Sequence, residues 1–133
     1  MSQRAVKKVI KFLEGRKVQV RKGRDNCYYP ERPKTIVYNA QGSYKNQLYT
    51  LLHEAGHFLQ EKSRNFSAMS LVYDKKADEL HTNYQKFRIL EQEMDAWERG
   101  ARLAKYLDIK LDIIDYRKNA AYFIMCYVKL LNQ

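Results

Sequence analysis

Residues 48–60 read "LYTLLHEAGHFLQ", and the interpretation of this stretch governs that of the whole chain. His53 and His57 stand four apart, with Glu54 directly after the first. At 100° per residue, Leu48, Leu51, Leu52, Ala55, Phe58 and Leu59 gather on one side of a helix. The two histidines fall together on nearly the opposite side, with Glu54 beside them. That separation argues against core histidines that merely satisfy a local hydrogen bond. Side chains four apart project side by side, so two imidazole nitrogens can meet one ion at about 2.0–2.1 Å. A glutamate after the first histidine points into the adjoining space. There it can take the proton of a zinc-bound water, whose pKa the metal lowers toward about 7. Gly56 lacks a side chain and lets another element approach close to the metal.

Working outward, Gly42 and Ser43 make a turn and an N-cap for this helix. Upstream, "TIVYN", "NCYYP" and "KVQVRKG" read as strands, and "SQRAVKKVIKFLEG" as an amphipathic helix that Gly15 stops. Downstream, 62–78 carries a mixed signal, expected as a long loop or a short irregular helix. A long helix is expected over about 79–107, "DIKLDIIDY" as a connection, and "RKNAAYFIMCYVKLL" as an apolar closing helix. The order is helix, small sheet, then three helices, which predicts an α+β fold over 1–133 as one domain. The length of 133 residues suits that count.

A catalytic zinc needs a third protein ligand and one open position. Downstream candidates are His81, Glu91, Glu93, Asp95 and Glu98. On the wheel of the long helix, Leu90, Met94, Trp97, Gly100, Ala101 and Ala104 form the apolar, close-packing face, and Glu93 lies within it. Glu91, Asp95, Glu98 and Arg102 lie on the polar face. A carboxylate within an apolar face is costly unless paired or metal-bound, so Glu93 is the expected ligand. Glu91 is the alternative, reached by a modest rotation of the helix. His81, Tyr73 and Tyr84 are candidates for stabilising a reaction oxyanion, and the sequence does not choose among them.

"TIVYNAQGSYKNQLYTLLHEAGHFLQ" resembles the ImmA/IrrE-type zinc metallopeptidases: a strand ending in Asn, a short loop, then a helix carrying Thr, Leu and HExGH. "EMDAWERGARLA" resembles their second zinc helix, with a small residue, Ala96, three positions after the ligand glutamate. The resemblance covers about residues 35–104. It implies a zincin-like, gluzincin-type fold with a small sheet packed on the HExxH helix, His53, His57 and Glu93 as zinc ligands, and Glu54 as general base. The chain departs from the family pattern in three ways. Trp97 stands where the family often has Asn. The downstream Leu-Leu-Met-Pro segment and the attached helix-turn-helix domain are missing from this sequence.

The charge has its own distribution. Residues 1–24 hold nine Lys or Arg (among them Lys7, Lys8 and Lys11) against one acid, Glu14, within a chain of net charge +10. Such a segment favours nucleic acid or an acidic protein surface, or else serves as a solvated face. No apolar run approaches the roughly 20 residues needed to span a bilayer, and the charged N-terminus does not read as a secretion signal. Cys27 and Cys126 read as reduced thiols. The resulting expectation is a cytoplasmic zinc endopeptidase acting on a protein or peptide substrate, with "TIVYN" pairing an extended substrate by strand addition. The alternative is a DNA-associated basic module with a structural zinc, or a protease recruited to DNA by its basic segment. A scaffold that kept the fold without activity is the third.

Overall fold

The computed structural model describes residues 3–63 and 82–132. It is α+β, in the expected order. Helix α1 (Gln3–Gly15) is followed by β1 (Gln19–Gly23), β2 (Cys27–Tyr29) and β3 (Thr35–Asn39), then α2 (Tyr44–Gln60), α3 (Asn83–Tyr106) and α4 (Ile113–Leu131). Strand β3 is central: β1 pairs with it in parallel, with Gln19 opposite Thr35, and β2 pairs antiparallel, with Cys27 opposite Val37. Both edges of "TIVYN" are therefore taken, so β3 cannot add a substrate strand.

Helix α2 runs through the middle of the molecule. Ser43 caps it by accepting from the Asn46 backbone N–H. The Gln47 amide donates to the Ala40 and Gly42 carbonyls and holds the turn that leads in from β3. One side of α2 buries Leu48, Leu51, Ala55 and Phe58 in the same core cluster as Val6, Val9 and Leu13 of α1 and Ile36 and Tyr38 of β3. Phe58 also meets the Tyr28 ring edge-on, and the Tyr28 hydroxyl donates to Glu61 just past the helix.

The histidine side of α2 is covered by α3. The approach there is backbone-close: a Cβ on Gly56 would overlap the Ala96 carbonyl, and one on Gly100 would meet the Leu52 carbonyl and the Tyr116 hydroxyl. The face α3 buries is rotated from the expected one. It comprises Ile89, Gln92, Glu93, Ala96, Trp97, Gly100, Leu103 and Ala104, while Met94 is exposed. The small residues Ala96 and Gly100 set this rotation, because only they permit the approach to α2. It carries Glu93 to the middle of the helix–helix interface.

Two helix starts differ from the expectation. Helix α3 begins at Asn83, where Thr82 and Gln85 form a reciprocal capping box. Helix α4 begins at Ile113, within the stretch expected as a connection, because the Asp112 side chain accepts from the Asp115 N–H and caps it. Helix α4 is tied down by Tyr116, whose hydroxyl donates to the Trp97 carbonyl at 2.6 Å. Among the described residues no helix is long and apolar enough to cross a membrane.

Candidate metal centre

The packing of α3 on α2 brings His53, His57 and Glu93 together, with one ligand atom from each lying within 4.8 Å of the others. Glu93 Oε2 lies 2.7 Å from His53 Nε2 and 3.3 Å from His57 Nε2. Both Nε2 atoms thus converge on one carboxylate, although the ligands come from helices far apart in sequence. The Glu93 side chain is 1% exposed, against 13% for His53 and 12% for His57, so any opening to solvent is on the imidazole side. Glu91, the alternative ligand, turns away and pairs with Arg88 at 3.0 Å. Asp95 and Glu98 are also outside the group. Tyr84 is exposed in the first turn of α3, and His81 and Tyr73 lie outside the described residues.

The carboxylates shape the protonation of the site. Burial would lower the His53 imidazole, but hydrogen bonds and charge from Glu54 and Glu93 outweigh it and raise it to about 9. Burial would raise Glu93, but hydrogen bonds from His53 and His57 outweigh it and hold the carboxyl well below its usual range. Glu54 Oε2 lies 3.2 Å from His53 Nδ1. Rather than only pointing into the space beside a metal, Glu54 therefore braces the ligand imidazole from behind.

His57 is braced differently. Its Nδ1 lies 2.9 Å from Gln60 Oε1. The Gln60 Nε2 donates to the Gln92 carbonyl at 2.7 Å and to Asp95 Oδ2 at 2.9 Å, and Asp95 in turn accepts from Arg99 Nε at 2.6 Å. Both acceptors demand the amide N–H end of Gln60, so its oxygen must face His57. His57 Nδ1–H then donates to Gln60, and Nε2 is the nitrogen turned toward Glu93 and the metal position. The second oxygen, Glu93 Oε1, is buried and has no hydrogen-bond partner among the described residues. The donor set therefore fits a divalent metal ion: two imidazole nitrogens, a carboxylate with an unspent oxygen, and a preset tautomer.

Trp97 completes the wall. Its indole stacks on His53 with ring centroids 4.4 Å apart and planes 8° from parallel, and Phe123 of α4 stacks on its other side at 5.8 Å. A ring that broad, held between α2 and α4, fixes the plane of the His53 imidazole. Sequence reasoning does not single out Gln60 or Trp97 as site residues, and it offers Asp95 only as a candidate ligand. Gln60 has a signal, since i+3 from His57 places an amide within reach of Nδ1. The roles of Asp95 and Trp97 depend on how α3 is rotated.

Comparison of the chain with protein-family models, with curated proteins and with solved structures found no match in any of the three.

Proposed function

We propose that this chain is a zinc-dependent endopeptidase of zincin-like fold, acting in the cytoplasm on a protein or peptide substrate. The observation that carries the reading is the convergence of His53 Nε2, His57 Nε2 and Glu93 Oε2 beside a buried Glu54. Those three side chains would hold the zinc. When bound, zinc supplies Lewis acidity toward water and toward the scissile carbonyl. Glu54 removes the proton of the attacking water and then carries it to the leaving amine. One of its oxygens lies against His53 Nδ1, which leaves the other for that transfer. Trp97 and Gln60 hold the two imidazoles in place. The resemblance of the two helix motifs to the ImmA/IrrE-type peptidases supports the same assignment.

The placement of β3 moves the substrate strand. Strand β2 is the sheet edge alongside α2, and burial together with the charge of Glu54 pushes the Cys27 thiol up. An extended peptide added to β2 would pass beside Glu54.

The decisive experiment is metal analysis and peptide hydrolysis by Glu54→Gln beside the unsubstituted protein. The amide oxygen still accepts from His53 Nδ1 but has no basicity. Stoichiometric zinc with hydrolysis lost is the expected result. Zinc retained with hydrolysis unchanged would overturn the role of Glu54. A protein that binds no zinc in either form would overturn the reading as a whole.

A further inference from the structure

We infer that α1 and the edge strand β1 form a sequence-independent nucleic-acid-binding face that works through the phosphate backbone. Arg4, Lys7, Lys8 and Lys11 recur at helical spacing along α1, a row about 10 Å long at 1.5 Å per residue. Arg16 and Lys17 follow at the end of the helix, Arg21 and Lys22 project to opposite sides of the edge strand β1, and Arg24 follows its end. All but Lys8 are exposed. No carboxylate among the described residues forms an ion pair with any of them, whereas Lys34, Lys45, Arg88, Arg99 and Arg117 each hold one. Asp108, Asp112 and Asp115 share a cavity wall with Arg4 and Lys8 at one end of the row, and none of them is ion-paired to it. Lys8 donates to the Leu107 and Asp108 carbonyls at 3.3 and 3.4 Å, Arg21 donates to Gln19 Oε1 at 3.0 Å, and the Arg16 guanidinium lies 3.9 Å over the Phe12 ring.

The rest of this face selects among polyanions. No large apolar side chain of residues 3–24 is exposed, because Val6, Val9 and Leu13 of α1 are spent in the core. A protein partner needs an apolar or aromatic centre to dock on. A membrane-surface helix needs a free apolar face to insert. Residues 3–24 themselves offer neither, and among the described residues the one exposed ring against them is Tyr106, edge-on to Phe12. Binding to phosphates asks only for cations at a suitable density, and a DNA duplex presents one charge about every 1.7 Å of axis.

The inference does not rest on the zinc reading, since no residue of α1 or β1 belongs to the metal centre. The test is fluorescence anisotropy of a short labelled duplex of arbitrary sequence between about 50 and 200 mM salt. Binding should weaken steeply and log-linearly with salt. In the triple variant Lys7→Gln, Lys11→Gln and Arg21→Gln the slope should be shallower by about 2.7, near 0.9 for each phosphate no longer neutralised. These side chains are exposed and form no hydrogen bond or ion pair among the described residues beyond the Arg21–Gln19 hydrogen bond, and circular dichroism verifies that the variant folds. Metal-depleted protein and Glu54→Gln should bind the duplex as the untreated protein does, so failure of the zinc reading would leave this result standing. Absence of binding at low salt, or an unchanged slope in the triple variant, would overturn the inference. Equal displacement of the duplex by polyglutamate, or by anionic phospholipid vesicles at matched charge, would overturn it in favour of an acidic protein or a lipid surface.

Discussion

His57 Nδ1 lies 2.9 Å from Gln60 Oε1, and the other end of that amide is held by the Gln92 carbonyl and Asp95. The amide cannot turn over without breaking both of the hydrogen bonds it donates. It therefore acts as a fixed acceptor that decides which nitrogen of His57 faces the metal position.

Gln60→Leu should weaken zinc binding by about 10- to 100-fold, the usual effect of losing a residue that orients a ligand. It should also cost about 1–3 kcal/mol of stability, because the Gln92 carbonyl and Asp95 lose a buried donor. Gln60→Glu keeps the acceptor but sets a second carboxylate beside Asp95. It should retain zinc affinity while losing stability. Chelator-competition titration and thermal unfolding read the two effects separately. Equal zinc affinity in Gln60→Leu and the unsubstituted protein would remove the orienting role.

Zinc affinity should rise with pH. The His53 imidazole is raised to about 9 by Glu54 and Glu93, so it is protonated at neutral pH in the metal-free protein and must lose that proton to bind metal. Affinity should climb about tenfold per pH unit across the window from about 6.5 to 9, with about one proton released at pH 7. For the metal-free protein the sign is opposite. A group raised on folding contributes stability that is fully present below its unfolded value of about 6.5 and lost as pH rises through about 9. Calorimetric titration in buffers of different ionisation heat measures the proton release. Trp97, the chain's one tryptophan, is stacked on His53 and reports binding by its fluorescence. A pH-independent affinity over that window would contradict the protonation state described here.

Glu93→Gln and Glu91→Gln should behave differently although they lie two residues apart. Glu93→Gln removes the charge at the meeting point of both imidazoles. It should reduce zinc affinity by more than about a hundredfold and abolish hydrolysis. Glu91→Gln breaks only a partly exposed pair with Arg88. It should leave zinc content intact and change stability by less than about 1 kcal/mol. Metal analysis of the two purified variants distinguishes them, and equal zinc loss in both would contradict the placement of Glu91.

Gly56→Ala should damage the site from a distance. Its Cβ would overlap the Ala96 carbonyl, so α3 must move away from α2 and take Glu93 with it. Overpacking typically costs about 1–3 kcal/mol, and a clash with backbone cannot be relieved by a rotamer change. Gly42→Ala is the control, since its added Cβ would sit at an ordinary 3.5 Å from Asn46. Thermal unfolding and zinc titration should show loss in the first variant and little change in the second.

The motif at 53–57 and, among the described residues, the three strands and the four helices were readable in the sequence, because each follows from spacing within one short segment. A period of two or 3.6, a cap, and two histidines one turn apart are all local. The choice of Glu93 was also readable, since an ionisable group within an apolar helix face demands a partner. What the sequence alone did not determine is how the segments pack. Only the tertiary structure places β3 between its neighbours and so closes it to a substrate strand. Only the close approach of Ala96 and Gly100 to α2 sets the rotation of α3, which exposes Met94, centres Glu93 and sends Glu91 to Arg88. The tautomer lock through Gln60 and Asp95, and the stacking of Trp97 on His53, join side chains 35 or more positions apart. Gly56 and Gly100 signal in the sequence that another element comes close. The rotation and register of the two helices at that distance, however, depend on packing along their whole interface, which no local pattern encodes.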